Sequence, residues 1–210
     1  AIAAIRDNFT HYTANAGIPE LIAAIRTKFE KENGLHFDAG QILVSCGAKH
    51  SIFNALLAIC NPGDEVIIPA PYWVSYPEMA KIADATPVVV STTSATGYKL
   101  TPDALRRALT GRSKALILNS PSNPTGSVYS LKELEAIAEV VASSGIVVIS
   151  DEIYEKIIYD GLRHQSIGNI DMVRDRVVTV NGVSKAYAMT GWRIGYMGGP
   201  KDIIEAAAKV

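Results

Sequence analysis

One lysine and one arginine, Lys185 and Arg193, carry the most legible chemistry in this chain. Lys185 ends the run Asn181-Gly182-Val183-Ser184-Lys185, and Arg193 closes Thr190-Gly191-Trp192-Arg193. Small residues at 182 and 184 permit close backbone approach to the amine. A guanidinium grips two phosphate oxygens at once through its planar fork of donors. An amine and such a fork together suit a phosphorylated aldehyde: the amine condenses with the carbonyl and the arginine holds the phosphate. Pyridoxal 5'-phosphate has that chemistry. The same two residues also fit a solvated lysine and an arginine in an unrelated ion pair, since lysines in loops are common.

Other polar residues admit roles around the same ring. Asp151 ends the strand-like run Ile146-Val147-Val148-Ile149-Ser150. A carboxylate there keeps a pyridine nitrogen protonated, and the protonated ring stabilises a carbanion. An Asp in this position also serves as a turn or helix cap. Tyr154 lies three residues on and is placed to reach a ring oxygen, or to sit half-buried as many tyrosines do. Asn123, in Ser122-Asn123-Pro124-Thr125-Gly126, occupies a stiff turn that aims an amide, although Asn-Pro turns are common. Gly47-Ala48-Lys49 opens a helix, whose first amides cradle phosphate; it reads equally as a tight strand-to-helix turn. Lys49 suits a phosphate or a substrate carboxylate, or plain solvation. Trp73 offers a flat indole for stacking, or a core residue. Tyr12 lies in a loop from which its hydroxyl would meet a phosphate, in this subunit or a neighbouring one. Trp192 is expected to pack. His11, His36, His50 and His164 show no metal-ligand pattern and are expected to be structural or superficial.

Alternating elements must position these groups. β-Branched runs occur at 42–44, 66–68, 88–90, 115–118, 146–149 and 177–180, and each is expected to be a strand buried on both faces. Helical patterns fall between them at 19–31, 49–60, 76–83, 102–109 and 131–142, with a last one from about Asp202. The alternation predicts an α/β fold with a mostly parallel central sheet flanked by helices. Ligands in such sheets bind beyond the carboxyl ends of the strands. Five of the six runs are followed by polar or aromatic groups from the set above. All five are expected to face one crevice.

Composition narrows the class. The chain has 210 residues, 48% of them apolar, enough for one domain with a sizeable core. A formal net charge of −1 argues against general attraction to nucleic acid or to a membrane surface. No apolar stretch approaches the ~20 residues of a membrane-spanning helix. Cys46 and Cys60 fit neither a disulfide framework nor a metal site, which suggests a reducing, cytoplasmic setting. Both ends of the chain read as interrupted helical patterns, so residues 1–210 are expected to be one domain of a longer protein.

In order and co-location these segments are more specific than any one of them. From about Tyr12 onward the chain resembles the fold-type I pyridoxal phosphate enzymes, within them the class I aminotransferases of the aspartate aminotransferase family. The resemblance rests on Tyr12–Leu21, Pro71-Tyr72-Trp73-Val74-Ser75-Tyr76-Pro77, Asn119–Gly126, Ser150–Glu155 and the lysine run, and is closest to a subgroup with Gly47-Ala48-Lys49. It implies a large, cofactor-binding domain over 1–210. Lys185 then resembles the amine bonded to the cofactor, Asp151 the partner of its ring nitrogen, and Tyr154 and Asn123 those of its ring oxygen. Arg193 with Gly47, Ala48 and Ser184 resembles the phosphate site, Trp73 the stacking residue, and Tyr12 a tyrosine lent across a homodimer. Lys49, with Trp73 and Asn123, resembles the substrate site, and Lys49 implies acidic substrates: aspartate and glutamate with their 2-oxo acids, and the prephenate/arogenate pair. Some relatives carry serine where Gly182 stands, so that phosphate contact is absent or passes to Ser184. The family's second domain supplies an arginine for the substrate α-carboxylate.

Rival readings are a β-lyase or aminocyclopropanecarboxylate synthase on the same scaffold, and a non-catalytic pyridoxal phosphate-binding module. A nicotinamide-binding dehydrogenase is disfavoured, because no Gly-x-Gly-x-x-Gly follows the first strand.

Overall fold

A computed structural model describes all residues from Ala1 to Val210. Seven strands form one sheet: β1 (Ile42–Ser45), β2 (Glu65–Ala70), β3 (Thr86–Ser91), β4 (Ser113–Asn119), β5 (Val147–Asp151), β6 (Val177–Gly182) and β7 (Gly195–Gly198). Their order is β1-β7-β6-β5-β4-β2-β3. The β2–β3, β2–β4, β4–β5 and β5–β6 pairs are parallel, and β7 runs antiparallel to both of its neighbours. The helices are α1 (Ile2–Arg6), α2 (Pro19–Lys28), α3 (Ala48–Ile59), α4 (Ser75–Ile82), α5 (Pro102–Ala108), α6 (Leu131–Ser144) and α7 (Lys201–Ala207).

Strand side chains alternate between two cores, as a pleat with period two requires. Val66 and Ile68 join α3, α4 and α7 through Ile52, Leu56, Met79 and Ile204. Ile67, Leu116 and Leu118 face the other way, onto Leu105 of α5 and Leu134, Ile137 and Val141 of α6. Covered on both faces, the central strands are mostly apolar in their middles, which is why they read as short runs of Val, Ile and Leu. Caps set helix starts: Ser130 and Glu133 form a reciprocal capping box at α6, and Thr101 accepts from the Ala104 amide at α5.

The expected strands are all present, with two differences. β3 is not buried on both faces: it is the last strand in the order, and Val89 is exposed there. β7 has no counterpart in the sequence reading. Its residues, Gly-Tyr-Met-Gly, begin and end on glycine because the space at both ends forbids a side chain. A Cβ on Gly195 would lie 2.2 Å from the Gly47 carbonyl carbon, and one on Gly198 would lie 2.6 Å from the Phe37 ring. The helix expected over 19–31 passes into a π-helical turn at Phe29–Asn33, which Gly34 ends in the left-handed region.

No helix is long and apolar enough to cross a membrane.

Candidate active site

A cleft of about 340 Å³ opens beyond the carboxyl ends of the sheet. Each of the five expected strand-end loops contributes to it. Ala48 and Lys49 come from the turn after β1, Trp73 from that after β2, and Asn123 from that after β4. Asp151 and Tyr154 come from the end of β5, and Ser184 and Lys185 from the loop after β6. Arg193 enters just before β7. Lateral order in the sheet thus gathers residues 48 through 193 into one site, as parallel strands predict.

Asp151 is 3% exposed. Its Oδ2 accepts a 2.6 Å hydrogen bond from the Tyr76 hydroxyl and its Oδ1 one of 3.2 Å from the Ile153 amide. Burial pushes the carboxyl up to about 6; the Tyr76 and Ile153 hydrogen bonds oppose the rise, and the neighbouring Glu152 charge adds to it. A buried carboxylate with free lone pairs is matched by a cationic N–H donor.

Asn119 ties the floor together. Its side-chain amide donates to the Asp151 carbonyl at 2.9 Å, and its oxygen accepts from the Asn123 amide at 2.7 Å. The Asn123 side chain in turn donates to the Tyr154 hydroxyl at 3.2 Å. Two polar groups thereby converge on one point. The Lys185 ammonium lies 5.6 Å from the Tyr154 ring centroid. Its loop is closed by the Val183 amide donating to the Ile194 carbonyl at 3.1 Å. A Cβ on Gly182 would stand 2.9 Å from that same carbonyl oxygen, so the close backbone approach favours glycine there.

At the other end of the cleft no side chain caps α3, whose N-cap is Gly47. Its first amides are free for an anion. Arg193 reaches over this terminus and donates to the carbonyls of Thr190 at 2.9 Å and Cys46 at 3.1 Å. Lys49 places its ammonium 4.8 Å from the Trp73 ring centroid.

Two of the expected site residues do not line the cleft. Gly47 lies behind it as the N-cap, and Tyr12 is fully exposed outside it. Trp192, expected to pack, is largely exposed. His164 is more than a surface residue: its Nε2 lies 2.7 Å from Glu152, which also accepts from the Ser150 and Ser166 hydroxyls. Glu152, Glu155 and His164 bring ligand-type atoms within 4.8 Å of one another. Lys28 ion-pairs with Glu155 and supplies the positive charge this cluster needs.

Sequence reasoning missed Tyr76, Asn119, Ile153 and Thr190. Tyr76 had a signal in hand, lying three residues after Trp73 at a helix start. Asn119 follows the apolar stretch Ala115–Leu118 at the end of β4. Ile153 and Thr190 carried no chemical cue.

The family described as aminotransferase class I and II matches residues 2–210. The bifunctional aspartate aminotransferase and glutamate/aspartate-prephenate aminotransferase of Petunia hybrida is 58% identical over 100% of this chain and 44% of its own length. The crystal structure of the aspartate aminotransferase from Rhizobium meliloti has a TM-score of 0.97 at 46% identity, over 99% of this chain and 52% of that one. Thermus thermophilus aspartate aminotransferase with maleate has a TM-score of 0.95 at 47% identity, over 99% and 54% respectively. This chain therefore spans about half the length of these relatives. With the match running across the whole sheet and every strand-end loop, the chain belongs to the aminotransferase class I and II family.

Proposed function

We propose that residues 1–210 are the cofactor-binding large domain of a pyridoxal phosphate-dependent aminotransferase. It moves an amino group between an acidic amino acid and a 2-oxo acid in a ping-pong cycle. The observation that carries this reading is the placement of Lys185 in one cleft with buried Asp151 and the uncapped α3 terminus.

The residues fit the cofactor on three counts. The free α3 amides and Arg193 suit its phosphate, and only glycine at 47 leaves room for that guanidinium. Asp151 is a buried acceptor suited to a ring N–H. Asn123 and Tyr154 converge as the ring oxygen would require. Trp73 offers its indole to the ring face, and Ser184, which lines the same cleft, offers a hydroxyl to the phosphate. When bound, the cofactor supplies an aldehyde that bonds to amines and a ring that takes up the electron pair left by a broken Cα–H bond.

The chain's own groups do the rest. Lys185 would hold the cofactor through its amine and, once freed, act as a base. Its Nζ would accept the substrate's Cα proton and give it back. Asp151 keeps its negative charge against the ring nitrogen and so favours electron withdrawal.

Lys49, braced against Trp73, provides a cation for a second carboxylate, which favours aspartate and glutamate, with prephenate as a further acceptor. The Petunia relative's name includes those substrates, and maleate in the Thermus structure is a dicarboxylate. The α-carboxylate is gripped by the part of the protein beyond this domain. Full exposure of Tyr12 supports a homodimer in which Tyr12 reaches the partner subunit's phosphate. Two free cysteines support a cytoplasmic setting.

The test is the absorption spectrum of the purified full-length protein with pyridoxal phosphate, repeated for Lys185→Ala. The parent shows a pH-sensitive band that the variant lacks; identical spectra reject the assignment of Lys185. Aspartate supplied without an acceptor releases one oxo acid per site and then stops, whereas a β-lyase turns over continuously.

A further inference from the structure

The Tyr76 hydroxyl is spent on Asp151. Tyr76 projects from α4 and is 2% exposed, packed in the core beneath the cleft. A tyrosine buried this deeply needs a partner for its hydroxyl, and here that partner is Asp151 Oδ2 at 2.6 Å. Its ring also meets the Trp73 indole edge to face, with centroids 5.5 Å apart and planes at 86°. Lys49 lies on the Trp73 ring in turn. One side chain therefore touches both the carboxylate and the aromatic wall of the cleft.

We propose that Tyr76 is a positioning residue, locking the Asp151 carboxylate towards the cleft and setting it against the Trp73 indole. This rests on the reading of the cleft as a pyridoxal phosphate site. A carboxylate has about four lone-pair positions. Tyr76 and the Ile153 amide take one on each oxygen, which fixes the plane of the group and leaves the remainder for a donor in the cleft. The phenol also supplies a proton-donating contact that keeps Asp151 ionised against the pull of burial. Without it the carboxyl rotates more freely and competes for the ring-nitrogen proton. Other charged or titratable groups around the site are Glu152 just after β5, Tyr154 in the next turn, Lys185 after β6, and Lys49 and Arg193 towards the α3 end.

Packing alone predicts that phenylalanine serves equally well at this position; the proposal predicts that it does not. In the full-length holoenzyme, Tyr76→Phe shifts the pH midpoint of the cofactor's absorption band upwards by about half a unit or more, because a less cationic ring withdraws electrons less. It lowers kcat about tenfold while KM for the amino donor changes little. Both effects vanish when Tyr76→Phe is added to Asp151→Asn, since the phenol acts through the carboxylate. A midpoint and kcat within error of the parent overturn the proposal, as does an undiminished effect in the Asp151→Asn background. Should Tyr76→Phe alone fail to fold, folding of the double variant still supports the coupling, and failure of both overturns it. If the parent itself shows no pH-sensitive band, the function proposed above fails first, and the two failures are distinguished.

Discussion

Gly47 lies directly beneath the Arg193 guanidinium: a Cβ built on Gly47 would stand 2.3 Å from Nη2. The backbone adds a second constraint, with φ +98° and ψ 161° at Gly47, a region that L side chains scarcely enter. Gly195 approaches from the other side, where a Cβ would come within 2.3 Å of the Ala48 amide nitrogen. The anion cradle is therefore made by two glycines that let β7, the α3 terminus and Arg193 meet.

Gly47→Ala is expected to destabilise the fold by about 1–3 kcal/mol and to weaken pyridoxal phosphate binding at least tenfold. Gly63→Ala is the control: it also has positive φ, but nothing lies within 4 Å of its added Cβ. It is expected to lower stability by about 1 kcal/mol and to leave cofactor affinity unchanged. Fluorescence titration with the cofactor and urea unfolding measure both. Parent-like affinity in Gly47→Ala removes the cradle from the binding account.

Asp151 links function to a stability penalty. Its folded carboxyl, at about 6, holds a proton more tightly than the ordinary 3.8 of an unfolded Asp. Cofactor-free protein therefore loses stability from this group as pH rises from 3.8 to about 6 and regains none above that. Asp151→Asn removes the penalty. At pH 7.5 the cofactor-free variant is expected to be more stable than the parent by on the order of 2–3 kcal/mol, and by nothing at pH 3.5. Cofactor affinity moves the opposite way. Denaturant unfolding at the two pH values checks the first point; a difference that is the same at both pH values contradicts it.

His164, partly buried, pairs with the buried Glu152 just after β5. Burial disfavours the imidazolium, but the Glu152 charge and hydrogen bond outweigh it, with Glu155 assisting and Lys28 opposing, so the ring titrates above its ordinary 6.5. The resulting stabilisation is fully present below pH 6.5 and is lost as pH rises through the raised folded value. His164→Gln is expected to cost about 2 kcal/mol near pH 5.5 and progressively less towards pH 9. Thermal unfolding of both forms across that range is the measurement, and a constant difference would falsify the ionic pairing.

The cleft was legible because its residues follow strands that announce themselves locally. β2, β4, β5 and β6 each carry a short, mostly apolar run, and parallel strands send their following loops to one edge. That rule brought Trp73, Asn123, Asp151 and Lys185 together before any coordinates. Tyr76 and Asn119 escaped notice because their roles are hydrogen bonds to a residue 75 and 32 positions away, respectively. β7 escaped because crowding leaves glycine at both of its ends and only Tyr196 and Met197 between them, and Val89 misled because a strand's sequence does not reveal that it lies at an edge.

The sequence by itself determined the alternation of strands and helices, the residue types at each strand end and the chemistry those types permit. These follow from short-range periodicity and side-chain chemistry. Only the tertiary structure decided which groups touch: that Tyr76 holds Asp151, that Arg193 lies over Gly47, and that His164 pairs with Glu152. Such contacts depend on the lateral order of the strands and on ångström-scale clearances between backbones, and neither is written in any local stretch of the chain.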